Sequence, residues 1–205
     1  MIGLRRLFRD ASGASAAEFA LVLPLLILLI FGTIDVGRYA WSLNQAEKAT
    51  QIGARWAVAT DMVASGLGSY RWATTGLIPQ GTTVPQASFP TVTCQSNGTT
   101  ATCSCASSCS PFGTAANNTA FNALATRMAQ IYPGLTASNV VVSYSWSGLG
   151  FAGDPNAPEV APLTTVSLRN VNFAPFSSFI FAGQVALPSF AYTLPMEDGS
   201  GTSSN

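Results

Sequence analysis

Histidine is absent from this 205-residue chain, and Lys48 is its only lysine. Ser-His-Asp triads, Cys-His dyads and His-ligated metals are excluded together. Schiff-base chemistry keeps one poor candidate. What remains is a group of four cysteines and a few carboxylates. Cys94, Cys103, Cys105 and Cys109 are spaced C-x8-C, C-x-C and C-x3-C. In an oxidising compartment they would form two disulfides. Of three connectivities, two are reasonable: Cys94–Cys103 with Cys105–Cys109, or the crossed Cys94–Cys105 with Cys103–Cys109. A Cys103–Cys105 bond would close a very small, strained ring. Zinc held by all four thiolates is the alternative, although the usual paired C-x2-C knuckles are missing. Asp154 and Glu159 lie among prolines, and Glu197 and Asp198 lie near the end. Both pairs read as solvated loop charges. Asn97-Gly-Thr99 and Asn117-Asn-Thr119 match the weak glycosylation pattern. With no Gly-rich phosphate loop and no metal cluster, we expect neither catalysis nor a cofactor.

Nine basic and nine acidic residues leave a formal net charge of zero. No basic surplus exists to neutralise phosphates, so nucleic acid is not an expected partner. Charged residues make up 9% of the chain, against about 25% in an average soluble domain. Eleven of the eighteen charges fall in residues 1–61. Beyond them, Ser, Thr, Gly, Asn and Pro supply the polar positions. The two regions are therefore built for different solvents.

Arg5, Arg6 and Arg9 open the chain, and Phe19 to Ile34 carries no charge. Those sixteen residues make about 24 Å of helix, short of the roughly 30 Å hydrocarbon core. Counting from Ala14 gives about 32 Å, enough to span, with Glu18 inside. The arginines place the N-terminus in the cytoplasm and the rest of the chain outside it. Three readings compete. A secretory signal peptide would need an A-x-A site, and none convincing follows the apolar run. A plain signal anchor leaves Glu18 unexplained. A prepilin cleavage site fits best: Gly13 stands five residues before the Glu18-Phe19 pair, after basic residues and ahead of the apolar tract. A peptidase on the cytoplasmic face would cut after Gly13 and make Ala14 the first residue.

A lone carboxylate inside a membrane span costs a few kcal/mol unless paired, protonated or near the edge. Cleavage creates a positive α-amine on Ala14. A neighbouring subunit's amine could pair with Glu18 and set axial register, because a mismatch leaves a buried charge unpaired. The bland alternative is a Ser15–Glu18 capping box. Pro24 removes one backbone bond, which membrane helices tolerate. From Asp35 to Ala64 there is no proline. Tyr39, Leu43, Ala46, Thr50, Gly53 and Ala57 share one face, so the helix is expected to continue as an amphipathic extension.

Residues 13–55 resemble the TadE-like family, pseudopilins of the tight-adherence (Flp-type) pilus assembly system of bacteria. The matching features are the Gly13 to Glu18-Phe19 site, the apolar run with Pro24, Phe31-Gly32, Asp35-Val36-Gly37-Arg38, Gln45-Ala46 and Gly53-Ala54-Arg55. The resemblance covers about a fifth of the chain. It implies processing by a prepilin peptidase and retention in the inner membrane with a periplasmic head. It also implies a minor part in pilus building, beside other pilins, pseudopilins and the assembly platform.

The expected fold is α+β: a long N-terminal transmembrane and amphipathic helix, then a small pilin-like head with an antiparallel sheet and one or two packing helices. We expect a cytoplasmic leader over 1–13 and the helix over 14–64. A Gly/Pro/Ser/Thr-rich segment with the cysteine loop follows over 65–111. The head occupies 112–196, and a disordered tail 197–205. Within the head, Ala115 to Tyr132 carries an apolar stripe ending at Pro133-Gly134, a helix with its stop signal. Val140 to Ser147 alternates as a half-buried strand. Thr164–Phe173 and Val185–Leu194 are further strand candidates. Pro175 to Phe181 is strongly apolar and is expected as a short core-facing helix; an exposed patch for partner or membrane contact is the alternative. Two other functions stay open: a membrane-anchored periplasmic binding module outside any filament, and a secreted enzyme freed by ordinary signal cleavage.

Overall fold

The computed structural model describes residues 14–110, 112–155, 158–181 and 183–202. The expected leader, Gly13 included, lies outside the described residues. Two compact units are present. The first comprises residues up to 41 together with 172–185; the second comprises 42–171 and 186 onward. A single helix, α1 (Ala14–Ala59, 46 residues), contributes to both.

In the first unit α1 carries the uncharged tract and runs through Pro24 as helix. Its apolar side chains point outward on all sides: Phe19, Leu21, Val22, Leu25, Leu29 and Ile30 are all exposed. Only 6% of its most apolar 18-residue stretch is buried. The helix is long and apolar enough to cross a membrane. The remainder of this unit is the return segment 172–185. It contains strand β5 (Asn172–Phe173) and the one-turn helix α4 (Ser178–Phe181), and it reaches β6 (Val185–Ala186), which pairs with β5.

The second unit is α+β. After the short helix α2 (Ser65–Gly68), strands β1 (Val92–Ser96) and β2 (Ala101–Cys105) form a hairpin. Helix α3 (Asn118–Ala129) follows, then β3 (Val140–Ser145), β4 (Leu163–Leu168) and β7 (Ala191–Pro195). These five strands make one antiparallel sheet in the order β2-β1-β3-β4-β7. Strand β3 alternates as expected, burying Val140, Val142 and Tyr144. Tyr144 reaches out of the sheet to accept the N–H of Val63 at 2.9 Å.

The second half of α1 packs here because its inner face is small. Ala46, Thr50, Gly53 and Ala57 are buried, with Ala49, Ala54 and Val58, while Glu47, Lys48 and Arg55 stay exposed. Gly53 faces the Met128 side chain of α3. A Cβ there would lie 2.7 Å from the Met128 sulfur, so any larger residue must displace a core side chain. Helix α3 buries Phe121, Leu124, Ala125 and Met128. Asn117 caps its N-terminus by accepting the Ala120 N–H, and Asn118 accepts the Ala101 N–H at 2.7 Å. One glycosylation-like motif is thus a helix cap. The other is a turn: Asn97 accepts from the N–H groups of Thr99 and Thr100 between β1 and β2.

Several expected boundaries move. Helix α1 ends at Ala59 rather than Ala64. The segment 65–111 is not separate from the head, since β1 and β2 are two of the five strands of its sheet. The candidates 164–173 and 185–194 each divide. Strand β4 is separated from β5 by a turn in which Asn170 adopts φ +51°, and β6 is separated from β7. Residues 197–202 are not a loose tail. The N–H groups of Glu197, Asp198 and Gly199 converge on the Val58 carbonyl, and Asp61 and Gly201 exchange two bonds. Residues 203–205 lie outside the described residues.

Candidate functional site

Of the expected processing and register residues, Ala14, Glu18 and Phe19 sit at the start of α1, and Gly13 lies outside the described residues. Ala14 begins the described helix. Ser15 is already inside it, so it is not the cap of a capping box; that alternative loses its geometry. The Glu18 side chain is exposed and makes no hydrogen bond or ion pair with the described residues. Phe19 beside it is 60% exposed. Among the described residues the carboxylate therefore stands on a largely uncovered apolar cylinder.

A second acidic residue closes the apolar tract. Asp35 follows Glu18 by seventeen residues, or about 26 Å of helix. It is 7% exposed. Its Oδ1 accepts the Phe176 N–H at 2.6 Å and its Oδ2 the Ser177 N–H at 2.8 Å. Arg38, one helical turn on, donates to Oδ1 at 3.3 Å. The same guanidinium lies 4.0 Å from the centroid of the Phe176 ring and 5.2 Å from that of Phe173. Tyr39 meets Phe173 edge-on at 5.6 Å. Hydrogen bonds to an ionised acceptor are about twice as strong as neutral ones. Asp35 and Arg38 together thus tie the return segment to the helix within the first unit.

Residues 13–55 match the family model described as TadE-like protein. The chain carries a TadE-like region. No curated protein and no solved structure matches the chain significantly. The TadE-like region holds Gly13, Glu18, Phe19, Asp35, Arg38 and Gly53. It extends through the exposed apolar tract into the buried small-residue face that meets α3.

The cysteines lie in the second unit. Cys94 and Cys103 are directly opposite in the β1–β2 ladder and are joined. Cys105 and Cys109 form the other disulfide. Of the two connectivities left open, the uncrossed one is present. With all four sulfurs bonded, the zinc alternative has no thiolates left. The hairpin is also better supported than its small polar residues suggest, since both Cys94 and Cys103 are buried.

Glu159 corrects a second expectation. It is not a solvated loop charge but 4% exposed. It accepts the N–H groups of Trp72 at 2.8 Å and Gly153 at 2.9 Å, with Arg71 at 3.7 Å. Trp72 is itself packed among Tyr70, Phe89 and Phe112. The carboxylate accepts from backbone donors of two loops and ties them together.

Return of the segment 172–185 to α1 was not visible in the sequence. The available signals were Asp35-x-x-Arg38 at one-turn spacing after a long apolar run, and the apolar Pro175–Phe181 stretch. Nothing in either named the other as its partner.

Proposed function

We propose that this chain is a minor pseudopilin of a tight-adherence (Flp-type) pilus system, held in the bacterial inner membrane by α1 with its remainder in the periplasm. A prepilin peptidase removes residues 1–13, and the new amine on Ala14 of one subunit pairs with Glu18 of its neighbour. The work is structural: priming, length control or stabilisation of a filament, with no catalysis by this chain.

One observation carries the reading. Within the TadE-like region, Glu18 is the only charge between Ala14 and Ile34, and it stands exposed on a helix whose apolar surface the other described residues leave largely uncovered. A charge on such a surface is unfavourable in lipid unless a partner meets it. Sister helices, assembled side by side with other pilins on the assembly platform, would supply both the partner and the covering.

The deciding experiment is N-terminal sequencing of the protein extracted from membranes of cells with an active prepilin peptidase. A first residue of Ala14 is expected. Retention of Met1 would make the chain a plain membrane-anchored module outside any filament.

A further inference from the structure

Helix α4 and its approach were expected to face a core. Instead Phe179 is 96% exposed and Phe176 57% exposed. With Phe31 and Ile34 of α1 they line an open apolar hollow of about 410 Å³ within the first unit. Such a grouping of bare aromatic and aliphatic side chains is not expected to face water in a stable soluble surface.

Its position on α1 says what should cover it. Ala14 to Ile34 supplies about 32 Å of helix, one hydrocarbon thickness. Phe31 and Ile34 therefore occupy the last turn of the span. Asp35 and Arg38, the first charges after it, lie where the headgroups begin. The segment from Phe176 to Phe179 is fixed at that level, because the N–H groups of Phe176 and Ser177 are bonded to Asp35. The hollow is thus continuous with the lipid-facing surface of the span, and half of its lining belongs to it. Phenylalanine is favoured on the buried apolar side of an interfacial segment, and Arg38, 4.0 Å from the centroid of the Phe176 ring, places a cation beside it where lipid phosphates lie.

Resting on the anchor reading above, we propose that the Phe176–Phe179 segment is a second membrane-contacting element. It lies in the interface at the C-terminal end of the span, with Phe176 and Phe179 among acyl chains. Asp35 is its positioning residue. It converts an apolar stretch more than 130 residues downstream into an interfacial wedge beside the anchor.

The full-length protein tests this in vesicles of phosphatidylethanolamine and phosphatidylglycerol. The native cysteines are disulfide-bonded, so Phe179→Cys and Leu25→Cys each take one environment-sensitive fluorophore. Both positions are exposed on the protein, and neither change disturbs packing. Quenching is read from lipids carrying a nitroxide either high on the acyl chain, for position 179, or near its end, for position 25, and from iodide in the water. The label at 179 should shift to the blue, lose emission to the nitroxide lipid and be shielded from iodide. Iodide quenching without nitroxide quenching overturns the proposal, as does protection from both, which would mean a protein covers the site. If the label at 25 also escapes the nitroxide, the anchor reading itself fails and this one falls with it. Quenching at 25 but not at 179 removes only the wedge.

Discussion

Asp35 accepts the Phe176 N–H at 2.6 Å across 141 positions of sequence. The bond solves two problems at once. An acidic side chain directly after a long apolar run needs donors, and a segment of exposed phenylalanines needs an anchor. Arg38 completes the arrangement from within α1.

Asp35→Ala should free the return segment without unfolding the second unit, which has its own core. Limited chymotrypsin digestion of the detergent-solubilised protein should then cut after Phe176 or Phe179 faster than in the wild type. Asp35→Asn should be intermediate, because a neutral acceptor keeps weaker bonds. Equal cleavage in all three proteins would show that the clasp does not hold the segment.

Glu18→Ala should leave processing largely intact and impair assembly, whereas Gly13→Leu should block cleavage and leave a longer polypeptide on a gel. Counting pili and measuring the mature mass separates the two effects. Normal pilus numbers with Glu18→Ala would remove the amine–carboxylate pairing.

Disulfide accessibility should be unequal. Cys94 and Cys103 are buried in the ladder, while Cys105 and Cys109 are partly exposed. Mild reductant should open Cys105–Cys109 first, and Cys94–Cys103 should need denaturant as well. Differential alkylation with mass spectrometry measures the order. Simultaneous loss would mean that the hairpin opens as one piece.

Tyr144 is fully buried, and burial pushes its phenol well above the ordinary tyrosine range. Its oxygen is the acceptor for the Val63 N–H. Tyr144→Phe leaves that buried donor unpaired and should cost about 1–3 kcal/mol. The sign with pH follows from linkage. Above about pH 10 the unfolded phenol ionises while the folded one stays neutral. The contribution of Tyr144 is therefore complete below that pH and declines as pH rises through it. Denaturant titrations should show a shallower alkaline fall in Tyr144→Phe than in the wild type; identical slopes would rule Tyr144 out as a source of the fall.

What was legible in the sequence was local. Helix α1 follows from an apolar run and a small-residue stripe, α3 from its stripe and the Pro133-Gly134 stop, and β3 from strict alternation. Strands β1 and β2 escaped because Thr, Gln, Ser and Cys give weak alternation, and their burial comes from neighbours far along the chain. Glu159 escaped for a similar reason. Its donors are the backbone N–H groups of Trp72 and Gly153, and backbone donors leave no signature in residue type. The uncrossed cysteine pairing was one of two that spacing allowed, and only the ladder register, which sets Cys94 opposite Cys103, separates them. In the candidate site, Glu18 and its spacing from Gly13 were readable; the clasp on Asp35 was not, since neither partner segment specifies a contact at such sequence separation.

The convergence of the Glu197, Asp198 and Gly199 N–H groups on the Val58 carbonyl bears on how the protein can be handled. The last turn of α1 is finished by residues 197–199, far along the chain. An affinity tag fused directly after Met196, or a trimmed terminus chosen to aid crystallisation, would strip the donors from that turn and let it fray. Extensions belong beyond Thr202, behind a spacer.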